Sequence, residues 1–293
     1  MGHIPRLNGG QVDSLVEPER LVEDVEKMLV SRDAAAPPRA ALTHRGAWFA
    51  AMPAGGLGYL AAKLVGVYPG NPSRGLPLVR GILILFDAET GEPLLEADAS
   101  TATGWRTAAA SILALRVLGA SPTVVGIIGA GVQAEYHARM LQAFWPGVEL
   151  LVASRRPGSA RRLAQRHGGH VASLQSLLRS SDVVVAATTA ISPPVAGDVL
   201  PDGAVVVSVG APKPVRELDT SSLLRGRCVL ADTAEGVIRE AGDVDPALVE
   251  VVGLREVLLG ERGCSYGSLR IYKSVGTALL DLAIAVHLYE RLP

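Results

Sequence analysis

The period of the apolar positions changes twice along the chain. Between Pro18 and Arg32, Leu21, Val25, Met28 and Leu29 recur at helical spacing behind a proline suited to a first turn, which predicts a helix. A breaker, Ala34 to Pro38, follows. Shorter apolar runs then centre on Ala41–His44, Trp48–Ala51, Leu60–Tyr68, Val79–Phe86 and Leu94–Ala97, parted by PAGG, PGNPSRGLP and AETGEP. Runs of that length between glycine and proline clusters read as strands of a mostly antiparallel sheet. A second helix is expected from about Thr103 to Leu118. At Thr123 the pattern becomes TVVGIIGAG, VELLVAS, DVVVAATT, AVVVSVG and RCVLAD, with VQAEYHARMLQAF and SARRLAQRHG as helices between the first of them. Continuous apolar strands alternating with helices indicate a parallel sheet covered on both faces. The last segment, Ser274 to Tyr289, is an apolar helix expected to pack back on the first part. The reading is an α/β chain: a Rossmann-type doubly wound sheet over 119–273, and a second, α+β domain made of 1–118 with 274–293.

Composition narrows the function classes. With 293 residues, 48% of them apolar, a sizeable core can be buried, and a net charge of −1 gives no pull toward nucleic acid or membrane. No apolar run reaches the ~18 residues of a membrane span, and the first residues lack a signal-peptide pattern, so a cytoplasmic protein is expected. Cys228 and Cys264 sit in no metal or redox spacing, which fits a reducing compartment, and no metal site is expected. Arginine outnumbers lysine 24 to 4, which singles out each lysine.

The strongest motif is Gly129-Ala130-Gly131-Val132-Gln133-Ala134. In G-x-G-x-x-A the first glycine permits a tight strand-to-helix turn and the second lets the backbone approach a pyrophosphate. The small third residue seats the helix on the strand, and the helix N-terminus favours the anion. Here the motif follows a strand, opens a helix and begins a βαβ series, the context dinucleotide binding requires. The second strand ends in Ser154-Arg155-Arg156 with no acid. An acid there would meet the ribose 2′-hydroxyl of NAD, whereas serine and arginine suit a 2′-phosphate, so NADP(H) is expected ahead of NAD(H).

With these residues in view, the chain resembles the ornithine cyclodeaminase/μ-crystallin family over nearly its whole length. Pro38-Arg39, Met52-Pro53-Ala54, Lys63, Pro69-Gly70-Asn71-Pro72 and Gly75-Leu76-Pro77 are similar to its early and central motifs. Phe86-Asp87 with Thr90-Gly91-Glu92-Pro93, Thr103 to Ala109, the glycine turn, and Lys273 to Gly276 followed by Asp281 keep its order. The family includes ornithine cyclodeaminases, alanine dehydrogenases, ketimine or pyrroline-2-carboxylate reductases and a lens protein. The resemblance implies a homodimer joined through the first domain's sheets. It implies that Arg39, Lys63 and Arg106 hold a substrate carboxylate, and that Val132 and Gln133 touch the pyrophosphate. It places Thr188 or Thr189 by the cofactor, and Ser208, Val209, Ser274 and Val275 at the nicotinamide end.

Residue chemistry bears on these roles. A guanidinium fork suits the carboxylate of an amino or imino acid, and a partly buried lysine can exchange a proton near neutral pH where arginine cannot. The plainer alternatives are an edge-strand lysine that discourages aggregation, a surface Arg39 and a solvated Arg106. Arg106 is read in the first turns of its helix, where the dipole disfavours a cation and a bound anion would explain it. Lys273 is read as functional or structural alike, and His44 and His137 as uninvolved, His137 on an exposed helix face. One departure stands out. The family's cyclodeaminases carry an aspartate where this chain has Pro212, so loss of ammonia from ornithine is not expected unless Glu217 or Asp232 supplies the carboxylate. The expected activity is an imino-acid or ketimine reductase or an alanine dehydrogenase, acting on a small amino or imino acid. Ornithine cyclodeaminase, or a non-catalytic NADP-dependent binding protein, is the alternative.

Overall fold

The computed structural model describes residues 4–293 and falls into two compact units, one running through Ala109 and taking in Thr277–Pro293, the other Ala110–Gly276. The first unit opens with β1 (Arg6–Leu7), α1 (Gly9–Leu15) and α2 (Pro18–Val30). The short α1 shows no apolar period. A capping box fixes it instead: Gln11 N donates to Asn8 Oδ1, and Asn8 N donates to Gln11 Oε1. In α2 the residues at helical spacing, Leu21, Val25, Met28 and Leu29, are all buried.

A sheet follows, built from β2 (Ala40–His44), β3 (Ala47–Gly56), β4 (Tyr59–Val67), β5 (Val79–Asp87) and β6 (Pro93–Asp98), in the order β1-β6-β5-β4-β3-β2. All its pairs are antiparallel except β1 with β6. β4 is therefore interior, with Met52 of β3 and Leu83 of β5 beside Lys63, and the edge-strand alternative for this lysine is corrected. Strand alternation buries Ala50, Met52, Ala61, Lys63, Val65, Leu83 and Leu85 on one face. Phe49, Leu60 and Ile82 are exposed on the other, beside half-buried Leu64, Ile84 and Phe86.

The helix α3 (Ala99–Val117) starts four residues before its expected beginning at Thr103. Asp98 accepts from Thr101 N at 2.8 Å, an opening that apolar spacing does not reveal. Arg106 thus lies in the third turn, beyond reach of the helix-end dipole, and that argument for a bound anion falls.

The second unit contains β7 (Val124–Ile128), α4 (Val132–Phe144), β8 (Glu149–Ala153), α5 (Pro157–Arg166), β9 (His170–Val171), α6 (Leu174–Ser180), β10 (Val183–Ala186) and β11 (Val205–Ser208). It continues with α7 (Thr220–Gly226), β12 (Cys228–Ala231), α8 (Ala234–Glu240), β13 (Glu250–Gly253), α9 (Leu254–Leu258) and β14 (Arg270–Lys273). The sheet order is β13-β12-β14-β11-β10-β7-β8-β9, with every pair parallel. The chain runs outward from β7 to β9 and returns to β10 on the other side, so the strand order reverses between β7 and β10, where doubly wound folds bind nucleotides. The Rossmann-type class is borne out. β10, β11 and β12 are buried at every residue, as continuous apolar runs require.

The two cysteines, whose spacing matches no metal or redox motif, are joined to each other in a disulfide across 36 positions. Sheet order alone brings the start of β12 to the loop after α9, so sequence spacing carries no sign of the pair. The chain ends in α10 (Ala278–Tyr289), which packs on α2, β3 and β4 of the first unit. It begins four residues later than expected, because Ser274–Gly276 are held in an irregular segment by bonds to Asp232. Apolar on every side, it is buried from Ala278 to Leu288. No helix among the described residues is long and apolar enough to cross a membrane.

Candidate functional site

Lys63 leaves the inner face of β4 and meets an acid on α10. Its Nζ lies 2.8 Å from both carboxylate oxygens of Asp281. Arg106, from α3, donates through Nε to Asp281 Oδ1 at 3.0 Å. All three side chains are buried. Thr103 Oγ1, one helical turn before Arg106, is 3.5 Å from Nζ. Burial is the largest influence on Lys63 and pushes its ammonium down to about 8. Asp281 opposes this, while the charges of Arg106 and of half-buried Arg39 push it lower still.

Two buried cations therefore share one carboxylate, and the charge of Arg39 acts on Lys63 as well. Excess charge in a desolvated place is unfavourable unless an anion arrives to balance it. Arg106 engages Asp281 only through Nε, and no described residue accepts from its Nη atoms. That leaves the end of the fork that binds a carboxylate through two parallel bonds.

In the second unit the strand-order reversal carries the glycine turn. Gly129 has φ +116, and a Cβ there would stand 2.3 Å from the carbonyl oxygen of Ala187, so only glycine fits. A Cβ on Gly131 would meet nothing within 4 Å, and this residue starts α4 without a side-chain cap. The first N–H groups of α4 are thus open to an anion, beside exposed Val132 and half-buried Gln133, while Ala134 is fully buried against the sheet. This cradle fits the pyrophosphate of a dinucleotide. Beyond β8, Ser154 is half-buried and Arg155 and Arg156 are exposed.

His137 is buried, which corrects its expected exposure. Its Nδ1 is 2.7 Å from the Gln133 carbonyl oxygen and its Nε2 2.9 Å from Ser111 Oγ. Burial holds it down to about 4, so the ring is neutral. A carbonyl can only accept, so Nδ1 donates to Gln133 and Nε2 accepts from the hydroxyl. α4 turns this face inward, and the polar ring is tolerated there because both nitrogens are satisfied.

The other candidate positions rest on buried acids. Glu217 takes four donors: Thr188 N at 2.6 Å and Thr188 Oγ1 at 2.9 Å, with Ser208 Oγ and Gly210 N both at 2.7 Å. Asp232 accepts from Ser274 Oγ, Val275 N, Gly276 N and Thr233 N. Lys273 donates to Ser208 Oγ, the Gly210 carbonyl and Asp243, partners that suit a structural role. Thr189 is exposed, and Val209 is half-buried beside Gly210. Because Glu217 and Asp232 are saturated by their own unit, neither is free to replace the carboxylate missing at Pro212.

The structure brings Lys63 and Arg106 to one carboxylate, lets the charge of Arg39 act on Lys63, and arrays the remaining candidates along the carboxyl ends of β7, β8, β10, β11 and β14. Sequence reasoning assigned no task to Asp281, although a signal was present: it is the sole acid in the apolar run ALLDLAIAVHLY.

Comparisons with known proteins agree with this picture. The model of the ornithine cyclodeaminase/mu-crystallin family matches residues 9–293. Delta(1)-pyrroline-2-carboxylate reductase 1 of Burkholderia multivorans is 38% identical over 230 residues, 75% of this chain and 73% of the relative. The Delta(1)-pyrroline-2-carboxylate reductase of Thermococcus litoralis, solved with NADH and L-proline, superposes with a TM-score of 0.89 at 28% identity, covering 98% of this chain and 97% of the other. An archaeal alanine dehydrogenase dimer with bound NAD gives a TM-score of 0.88 at 28% identity, covering 98% and 95%. The resemblance in the ordered motifs is thereby borne out, and the chain belongs to the ornithine cyclodeaminase/mu-crystallin family.

Proposed function

We propose that the chain is a nicotinamide-dinucleotide oxidoreductase that reduces the carbon–nitrogen double bond of a small cyclic imino acid to the corresponding amino acid. The observation that carries the reading is the imbalance in the first unit, two buried cations, Lys63 and Arg106, on the single carboxylate of Asp281, with the charge of Arg39 also acting on Lys63. An α-imino acid supplies the missing anion. The free Nη pair of Arg106, with Arg39, clamps its carboxylate, and this fixes the imine carbon next to it. A reduced nicotinamide dinucleotide on the glycine turn supplies the hydride. As the imine carbon accepts the hydride, the π pair of the C=N bond passes to nitrogen, which takes a proton. Lys63 is the donor, directly or through one water, and recovers its proton from solvent.

A relative named as a reductase of pyrroline-2-carboxylate and one solved with L-proline support this substrate class. A ketimine already holds its nitrogen, so its reduction needs less acid–base machinery than deamination. That matches a site in which Pro212 offers no acid and Glu217 and Asp232 are fully bonded. Alanine dehydrogenation is the nearest competitor, in view of the archaeal dehydrogenase. A binding protein would use the same cations, and turnover separates the two.

Ser154, Arg155 and Arg156 select NADP(H) over NAD(H) through the 2′-phosphate. The open face of the first unit's sheet, with Phe49, Leu60 and Ile82 exposed, is covered by a second copy of the chain; the similar archaeal alanine dehydrogenase is a dimer. Sedimentation at micromolar concentration checks this, and a stable monomer refutes it. The test of the activity is NADPH oxidation with pyrroline-2-carboxylate, piperideine-2-carboxylate, and pyruvate plus ammonia. Turnover of a cyclic ketimine is expected, and its absence with all three defeats the reading.

A further inference from the structure

Asp281 faces both cations at the core of the cluster. Resting on the function proposed above, we infer that Asp281 is a positioning residue: one buried carboxylate pins the Lys63 ammonium and the Nε edge of Arg106 to a common point, so that proton donor and carboxylate fork meet the imino acid as a unit.

The geometry is specific to that task. Both oxygens of Asp281 lie 2.8 Å from Lys63 Nζ, and Oδ1 is shared with Arg106 Nε at 3.0 Å. Oδ1 accepts from both Lys63 Nζ and Arg106 Nε, while Oδ2 faces the same ammonium and accepts no hydrogen bond. Asp281 stands in the first turn of α10, at the positive end of the helix dipole, just after the Thr277 cap. Around Lys63, Asp281 comes from α10, Arg106 and Thr103 from α3, and Arg39 from the segment before β2, while Met52 of β3 and Leu83 of β5 stand beside it in the sheet. Without Asp281, Lys63 and Arg106 lose the carboxylate that both of them face. Lys63 then gives up its proton more readily, and Arg106 loses the contact that aims its free Nη pair.

The chain has only four lysines, Lys27, Lys63, Lys213 and Lys273, so lysine labelled with 13C at Cε gives a countable spectrum, with Lys63 assigned by its loss in Lys63→Met. Titration of that signal is read in the full-length wild type, Asp281→Asn and Asp281→Glu, beside the pH profile of kcat/KM for ketimine reduction. In Asp281→Asn the Lys63 midpoint is expected to fall by about one pH unit or more, with the alkaline limb of kcat/KM moving by the same amount. An unmoved midpoint overturns the proposal. Asp281→Glu keeps the charge and displaces it by one methylene. Its Lys63 midpoint should stay near that of the wild type while kcat/KM falls at least about tenfold. If Asp281→Asn does not fold, this variant decides alone, and undiminished kcat/KM in it overturns the proposal. A wild type that turns over no imino acid while Asp281→Asn still shifts the Lys63 signal defeats the functional reading and leaves the link between Asp281 and Lys63 standing.

Discussion

Two lysines of this chain are almost completely buried, and they are buried differently. Lys273 in the second unit faces Asp243, and its other donors go to the Ser208 hydroxyl and the Gly210 carbonyl. Among the described residues no further cation pairs with Asp243, which also accepts from the backbone N–H groups of Glu217 and Leu218. Lys63 in the first unit also faces an aspartate, but shares it with Arg106 and feels Arg39 as well. One arrangement is balanced and the other carries surplus positive charge. A balanced buried pair ties structure together, whereas a surplus is tolerated where an anion comes to occupy it. Burial and residue type are the same in both cases, so the neighbouring charges separate scaffold from site.

The largest expected effect breaks the comparison in two. Lys63→Met should lower kcat/KM for ketimine reduction by at least about 100-fold, the lower range for loss of a general acid. NADPH affinity should stay within a few-fold, because Lys63 belongs to the unit without the glycine turn. Its stability loss should be modest, since Asp281 keeps Arg106. Lys273→Met should do the reverse. It leaves Asp243 buried without a cation, and removal of one partner from such a pair costs ~3–5 kcal/mol. Steady-state kinetics and denaturant unfolding on both variants decide the matter. If both lose mainly stability, Lys63 is scaffold, and the charge surplus marks nothing.

This contrast was only half legible in the sequence. The strands and the glycine turn follow from spacing, because each depends on residues close in the chain, and the roster of Arg39, Lys63 and Arg106 follows from the family resemblance. The partners of the two lysines do not. Asp281 lies 218 positions from Lys63 and Asp243 lies 30 from Lys273, and only the packing of α10 on β4 and the order of the parallel strands bring them together. The same reason hid the disulfide and the inward turn of His137. β13 and β14 were missed for a different one: four residues each, led by Glu250 and Arg270, they are too short to show a period.

A smaller effect sharpens the comparison through pH. Burial pushes Lys63 down to about 8, so the ammonium form prevails below that value and is lost above it. If this ammonium donates the proton, kcat/KM for reduction should fall as pH rises through about 8, and the limb should vanish in Lys63→Met. The linked effect on stability has the opposite sign. The folded chain gives up the proton near 8 and the unfolded chain near the ordinary lysine value of 10.5. Between those values the unfolded state holds more protons, so this group makes folding more favourable as pH rises. A rate that climbs through the same window would remove Lys63 as the acid.

The smallest effect belongs to exposed cations, where solvent weakens every pair. Arg155 and Arg156 follow β8 on the surface, with no buried neighbour to amplify them. A 2′-phosphate still brings up to two negative charges and several acceptor oxygens, and charge-assisted bonds of this kind are worth roughly 1.5–3 kcal/mol before screening. Arg155→Ala and Arg156→Ala should therefore weaken NADPH binding by about 5- to 30-fold each while leaving NADH nearly unchanged. Raising the salt should erode the wild-type preference in the same direction. Fluorescence titration of both cofactors reads the outcome. NADH binding as tightly as NADPH in the wild type, with neither arginine altering the ratio, would mean that the absence of an acid after β8 reflects only an arginine-rich surface.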